Sequence, residues 1–504
     1  MAYIKSFPNQ TYLIPPKITD LFSENHVCYL IEQICNDMNF SEFDEKYAGA
    51  GRPAYHPRIN IKLLLMAHVD GMRSSRRIAK NAQENAVYIY LSEKVQPHFT
   101  TISDFRKNNL KLVKRVFRQV NTLALEEGMI DLSHLSSDGT VIKANANDFK
   151  TINKNKIEMI NKWIDKYLEE AIKVDEEENK IYGERGIHEM PPGLIDPEKR
   201  ETKIREVVRK INDSMKEDNI GQLEEIKQEL DNVKQYLDEK DKDKFSFTDQ
   251  EAAYMKSKKG RKELSYNAQI TTDKNGIIVD NDVVQDKDDR NQLLPAIDRI
   301  EDDYGTLPEE TIITADAGYE NGPALAKLEQ KGFDLLIPGK NMKQESKPDK
   351  FAKANFRYDE ENDWYICPEG KILTNRQGKS VHFQTGRPFT TYRAKMQDCQ
   401  ACPHRQACCK KQKSRKIQAL PEDKMFQRIK KKLKTEEGKE IYAVRKKTVE
   451  RSFGDIKHNK KFSNFLLRGL EKVKIEFNLV SIAHNLVMMN NIMNKRKVNL
   501  AENC

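Results

Sequence analysis

ELSYNAQITTD (263–273), NGIIVDNDVVQ (275–285), TIITADAGY (311–319) and FDLLIPG (333–339) decide the fold of this chain. The first two are apolar, strand-like runs with Lys274, Asn275 and Gly276 at the turn between them, the arrangement of an antiparallel hairpin. Helical periodicity from Asn291 to Ile300 separates the hairpin from the third stretch, and a second helix from Pro323 to Lys331 separates the third from the fourth. Upstream, LSSDGTVIKA (135–144) reads as one more strand, and two helices, from about Tyr442 to His458 and from Leu470 to Met493, close the pattern.

The order is therefore strand, strand, strand, helix, strand, helix, strand, helix. An antiparallel hairpin feeding a right-handed parallel crossover gives a mixed sheet with helices on both faces. That is the order of the RNase H-like fold. The expected class is α/β, with a mixed-sheet core assembled from residues 131–149, 245–340 and 436–495. Two insertions interrupt it. Residues 150–244 carry three amphipathic runs: Ile160, Trp163, Ile164, Tyr167; then Ile204, Val207, Val208, Ile211; then Leu223, Ile226, Leu230, Val233, Leu237. The last has the alternating three and four spacing of a coiled-coil seam, and YGERGIHEMPPGLIDPEKR (182–200) reads as a loop between the first two. Residues 341–435 form a lysine-rich insertion bearing cysteines.

Residues 1–130 read as all helical. A helix from Ile59 to Val69, a break at Gly71, a helix capped by Ser74 or Ser75, and another capped by Thr100 or Thr101 resemble a helix-turn-helix bundle. Arg73, Arg76, Arg77, Arg106 and Lys107 then become an exposed basic set able to meet a DNA groove. Cys28 and Cys35, one heptad apart, read as small buried side chains.

Charged residues make up 33% of the 504 and hydrophobic ones 38%, so the chain is globular but unusually charged. The net charge of +9 gains meaning from its clustering, notably in KKQKSRK (410–416) and RIKKKLK (428–434). Such clusters suit sequence-independent phosphate contact. No stretch approaches the ~20 apolar residues that span a bilayer, and MAYIKSFPNQTYLIPP (1–16) lacks the layout of a signal peptide. The expectation is a cytoplasmic protein with no membrane partner.

Three acids stand out by position. Asp316 ends the apolar run TIITAD and precedes a glycine two residues on; Asp138 sits alone in a strand, followed by Gly139. Strands disfavour Asp, and a buried unpaired carboxylate is costly, so each calls for a cationic partner. Glu450 lies at the margin of a helical stripe formed by Val449, Phe453 and Ile456, with Lys457 seven residues on. If the sheet assembles as read, the three acids converge and suit two hard cations, Mg²⁺ or Mn²⁺. Such a pair activates a water or 3′-hydroxyl and stabilises the leaving oxygen at phosphorus.

Taken together, the chain resembles a bacterial insertion-sequence transposase of the DDE (Asp-Asp-Glu) class. The similarity runs from GRPAYHPR (51–58) and GMRSSRRI (71–78) through SSDGTVIKANA (136–146), TDQEAAYMKSKKG (248–260), TADAGYENG (314–322) and YICPEGKIL (365–373). It ends with TVERSFGDIK (448–457) and FLLRGLEKVKIEFNLVSIAHNL (465–486). The resemblance implies Asp138, Asp316 and Glu450 as the metal-binding triad, Asp138 bridging both cations. It implies DNA cleavage and strand transfer at element ends, with double-stranded DNA (terminal inverted repeats and target) as partner. A homodimer or larger assembly on DNA and association with the nucleoid follow from the same likeness. The alternative is a catalytically inactive, transposase-derived DNA-binding protein. Such families often set a Tyr, an Arg and a Lys around the glutamate. Tyr442, Arg445 and Lys457 fill those positions here, with Lys446 a rival to Arg445, and all four are candidate DNA contacts.

Four of the eight cysteines fall in one group, Cys399, Cys402, Cys408 and Cys409, with Cys367 upstream. Cys367, Cys399, Cys402 and Cys408 match a structural Zn²⁺ site that would order a stretch too polar to build its own core. Cys409 rivals Cys408 as the fourth thiolate, and His404 is a substitute.

Overall fold

The computed structural model describes residues 17–41, 43, 54–147, 151–166, 217–239, 244–256, 260–339, 350–381, 386 and 388–502. The chain divides into two compact units, residues 1–144 with 266–504, and residues 145–265. The expected helical domain of residues 1–130 therefore shares a unit with the sheet core, and the division falls at the start of the hairpin rather than at residue 245.

In the larger unit the helices α1 (Cys28–Asn36), α2 (Pro57–Val69), α3 (Ser75–Glu84), α4 (Ala86–Leu91), α5 (Phe99–Asn108) and α6 (Leu110–Glu126) come first. Ile59, Ile61, Leu63, Leu64, Leu65, Met66 and Ala67 of α2 are all buried, as are Asn60, Lys62 and His68, so α2 runs through the interior. Gly71 (φ +64°) turns the chain into α3, whose N-cap Ser74 accepts from Arg77 N. α5 starts two or three residues earlier than read, with His98 and not Thr100 or Thr101 as its cap. Asn109, whose amide donates to Phe105 O at 2.6 Å, separates α5 from α6.

The strands are β1 (His134–Lys143), β2 (Thr151–Asn153), β3 (Lys244–Ser246), β4 (Ala253–Lys256), β5 (Lys262–Thr272), β6 (Ile278–Val284), β7 (Ile312–Thr314) and β8 (Asp334–Leu336). β6 pairs antiparallel with β5, β5 neighbours β1, and β1, β7 and β8 run parallel in that order. Ser136 pairs with Thr314. Asp138 and Asp316, each two residues further on, therefore leave neighbouring parallel strands at one level.

In the smaller unit β2 and β3 pair antiparallel beside helices α7 (154–166) and α8 (Glu217–Glu239). Their core holds Ile152, Ile157, Ile164, Leu230, Leu237 and Phe245. Trp163 and Ile226, expected on the apolar faces, are exposed. The run Ile204–Ile211, the loop 182–200 and Tyr167 lie outside the described residues, as does the side chain of Leu223.

Returning to the larger unit, α9 (Leu293–Tyr304) and α10 (Gly322–Gln330) flank β7 in sequence. Residues 350–419 then form a five-stranded antiparallel sheet from β9 (Arg357–Asp359), β10 (Trp364–Ile366), β11 (Ile372–Val381), β12 (Pro388–Ala394) and β13 (Lys416–Ala419). Short helices α11 (Met396–Gln400) and α12 (Arg405–Cys409) bridge the last two strands. This region does build its own core, from Phe351, Phe356, Tyr365, Leu373, Tyr392 and Ile417 among others. The expectation of a stretch too polar to do so is corrected: alternate strand positions carry aromatics between the lysines.

The chain continues through α13 (Asp423–Lys434), α14 (Glu436–Lys447), α15 (Val449–Gly454), a π-helical turn (Asp455–Asn459) and α16 (Leu470–Glu502). α16 packs against α1, α2, α5, α6 and β6. Buried Asn485 fastens it there, donating to Asn121 Oδ1 and Ile278 O at 2.8 Å and accepting from Ile278 N at 2.9 Å. Among the described residues no helix is long and apolar enough to cross a membrane.

Candidate active site

Asp138 lies on β1, Asp316 caps the 3₁₀ turn Ala317–Tyr319 that follows β7, and Glu450 opens α15. Asp316 Oδ1 accepts from Gly318 N at 2.6 Å and Asp138 Oδ1 from Gly139 N at 3.0 Å, so each carboxylate is steered by the backbone just after it. Glu450 reaches the sheet because the chain bends at Thr448 (φ −109°, ψ −95°) between α14 and α15, and both helices pack on β1. Val449, Phe453 and Ile456 form the buried stripe. Ser452 Oγ donates to Gly276 O at 3.3 Å, tying α15 to the β5–β6 turn.

Arg445, in the last turn of α14, joins the acids. Its guanidinium lies 3.4 Å from Asp138 Oδ1 and 3.8 Å from Glu450 Oε1, and it donates to Tyr442 OH at 3.2 Å. Tyr442 OH in turn donates to Ala315 O at 3.4 Å, beside Asp316. Burial opposes the charge on Arg445, but Asp138, Tyr442 and Asp316 outweigh it and raise the guanidinium pKa. Burial raises the Tyr442 hydroxyl pKa as well. Lys446, the rival for this position, is exposed on α14. Lys457 lies in the π-helical turn and donates to Thr140 Oγ1, two residues beyond Asp138 on β1.

A further acid stands beside Asp138 and Asp316. Asp289 Oδ1 accepts from Asn267 Nδ2 at 2.8 Å and Gln269 Nε2 at 2.6 Å, both on β5. Tyr319, buried, donates to Gln269 Oε1. Its hydroxyl pKa is pushed far up, first by burial and then by Asp289, Asp138 and Asp316. Sequence reading missed Asp289 because it belongs to the polar run DKDDRN (286–291), with no strand around it to mark it.

The expected basic set divides. Arg73 and Arg106 are not exposed, which corrects the reading that gave them to DNA. Arg73 pairs with fully buried Glu476 at 3.2 Å and stacks over Phe462, and Arg106 donates to Arg73 O at 2.7 Å. Burial lowers both guanidinium pKa values. Glu476 also accepts from the backbone of Leu466 and Leu467, so this cluster joins the GMRSSRRI segment to α16. Arg76, stacked over Phe99, and Arg77 are exposed; Lys107 pairs with Asp104 at 3.4 Å.

Cys367, Cys399, Cys402, Cys408 and Cys409 line one small pocket. Backbone N–H groups of Lys371 and Arg415 point at the sulfurs of Cys367 and Cys399, at 3.2 and 3.4 Å. His404 instead faces Glu369 and Phe351. Among the described residues, however, no three His, Cys, Asp or Glu side chains stand close enough together to hold a metal ion, either here or around Asp138. At the acidic centre the guanidinium of Arg445 stands against both Asp138 and Glu450.

Two family models match the chain: a transposase DDE domain over residues 366–490 and a transposase domain over residues 16–108. They support an insertion-sequence DDE transposase. The first match holds Glu450, Arg445, Lys457 and the five pocket cysteines, and the second holds α1 to α5 with Arg73, Arg76 and Arg77. Asp138, Asp316 and Asp289 lie outside both. No curated protein matches the chain. A transposase family implies a DNA substrate, and DDE transposases typically use divalent metal ions.

Proposed function

We propose that this transposase cuts and joins DNA at the ends of an insertion sequence, with Asp138, Asp316 and Glu450 as its metal-holding acids on an RNase H-like core. The observation that carries the proposal is the single buried guanidinium of Arg445 shared by Asp138 and Glu450, which are 312 positions apart in the chain. The strand order β6-β5-β1-β7-β8, antiparallel then parallel, supports the fold assignment. All three acids are present, and Arg445 pairs with two of them and is raised in pKa by the charge of the third, which speaks against a purely DNA-binding relic.

The donor set suits a hard divalent cation, because it is made of carboxylate oxygens and already surrounds a positive charge. When bound, two such ions would activate the attacking water or 3′-hydroxyl and offset charge on the leaving oxygen. The chain's own residues do the remainder. The backbone N–H groups of Gly139 and Gly318 fix the two aspartates. Arg445 keeps Asp138 and Glu450 together before ions arrive, while Lys457 adds positive charge beside β1 for a DNA phosphate. Lys446, Arg76, Arg77, Lys107 and the runs 410–416 and 428–434 offer sequence-independent phosphate contacts. The cysteine pocket suits one structural Zn²⁺, since five cysteines line it and backbone N–H groups point at two of the sulfurs. The transposase acts as a homodimer or larger assembly on paired ends, in the cytoplasm with the nucleoid.

Plasmid excision in Mg²⁺, with a chelator control, tests the proposal. Asp138→Asn, Asp316→Asn and Glu450→Gln are each expected to abolish strand cleavage while end binding persists. Wild-type excision in any of them removes that residue from the site.

A further inference from the structure

The carboxylate of Asp289 lies between the two glycines that follow the site aspartates. A Cβ on Gly139 would sit 2.3 Å from Asp289 Oδ1 and 2.4 Å from Gln269 Nε2; a Cβ on Gly318 would sit 3.3 Å from Asp289 Oδ2 and 2.7 Å from Asp316 Oδ1. No side chain larger than hydrogen fits between Asp289 and β1, so its carboxylate rests directly on the backbone beside Asp138. Two amides hold Oδ1, and Gln269 itself accepts from Tyr319, on the turn that Asp316 caps. Oδ2 takes no hydrogen bond or ion pair among the described residues and is turned towards Gly318 and the Asp316 turn. An acid with no catalytic or structural task would not be clamped by neutral donors on one oxygen, with the other left facing the Asp316 carboxylate across Gly318. Like charges so placed repel unless a cation is to share them.

We infer that Asp289 is a fourth carboxylate of this centre: a positioning residue that fixes the Asp138 and Asp316 turns and adds negative charge that raises the affinity for a divalent cation. The inference rests on the metal-holding reading above. It adds a residue that neither the acidic triad nor the two matched segments contain.

Asp289→Asn separates charge from shape, because the amide oxygen still accepts from Asn267 and Gln269. The measurement is the thermal shift of the full chain as Mn²⁺ is titrated, with unfolding in chelator as reference. We expect the half-saturating Mn²⁺ concentration to rise tenfold or more in D289N, since affinity for hard cations follows the ligand charge count. Unfolding in chelator should be unchanged or later, because a repulsive charge has gone. A half-saturating concentration equal to that of the wild type overturns the inference while leaving the triad intact. A wild-type chain with no Mn²⁺ response overturns it together with the metal-holding reading, which distinguishes the two failures. If D289N does not fold, D289S is read by the same criteria.

Discussion

Replacing Arg445 with Met removes a positive charge that Asp138 and Glu450 share while keeping most of the side-chain volume. At 3.4 Å, with the effective dielectric of ~20 that suits partly buried pairs, the Asp138 contact is worth about 5 kcal/mol of Coulomb energy before desolvation. Glu450 is half exposed and lies 3.8 Å away, so screening reduces its contact to about 1 kcal/mol or less. Burying the guanidinium costs part of this back, and breaking a buried pair from one side typically costs about 3 to 5 kcal/mol. With the exposed leg discounted, R445M should lose about 2 to 4 kcal/mol in urea unfolding with chelator present. A divalent cation is a substitute for the missing charge. Mn²⁺ at a hundred times its Kd contributes about 2.7 kcal/mol by mass action. Most of the loss should therefore return in Mn²⁺, and R445M should gain more from the ion than the wild type does. Wild-type stability in chelator would show that Arg445 does not hold the acids. A loss of equal size with and without Mn²⁺ would assign it to packing against Tyr442 instead.

Other outcomes follow from the same coordinates. Glu476→Ala leaves Arg73 buried without its carboxylate and two backbone N–H groups unsatisfied, and should cost about 3 to 5 kcal/mol by urea unfolding. Arg76→Glu with Arg77→Glu, both exposed, should leave the unfolding midpoint within about 0.5 kcal/mol while weakening DNA binding and flattening its salt dependence; unchanged binding would remove this helix from the DNA interface. Burial lowers the pKa of His68 to about 3 and of His134 to about 4, so both stay neutral in the fold and each destabilises it as pH falls below the unfolded value of about 6.5. Asp273, which burial raises to about 7, acts in the opposite sense, holding its proton in the fold and gaining stability as pH falls from there. Taken by themselves, these two histidines and one aspartate contribute a loss of about 1.4 kcal/mol per pH unit between pH 6 and 5; His134→Asn should remove about one histidine's share of the slope, and an unaltered slope would count against it.

The hairpin and the parallel strands were legible because their apolar runs are short, alternate where one face is solvated, and are punctuated by Gly276 and the helices between. Asp138 and Asp316 were legible for the converse reason, a lone acid in an apolar run. Asp289 carries no such contrast, and only the contact with Gly139 exposes its place. Arg73 and Arg106 were misread because helical periodicity separates faces but does not say which face meets another part of the same chain. Their partner, Glu476, is 403 residues from Arg73. The bend at Thr448 and the π-helical turn after Gly454 likewise leave no periodic signature. They nonetheless set where Glu450 and Lys457 end up.

The seat of α16 among α1, α2, α5, α6 and β6 has a consequence for synthesis. Until residues 470–490 have left the ribosome, the apolar faces of α2 and α6 and the guanidinium of Arg73 lack the surfaces they close against. The amino-terminal helices, though made first, wait for a segment made some four hundred codons later. An interrupted translation product thus cannot complete the framework on which Asp138, Asp316 and Glu450 are mounted, and the acidic centre comes together only once that late segment has docked.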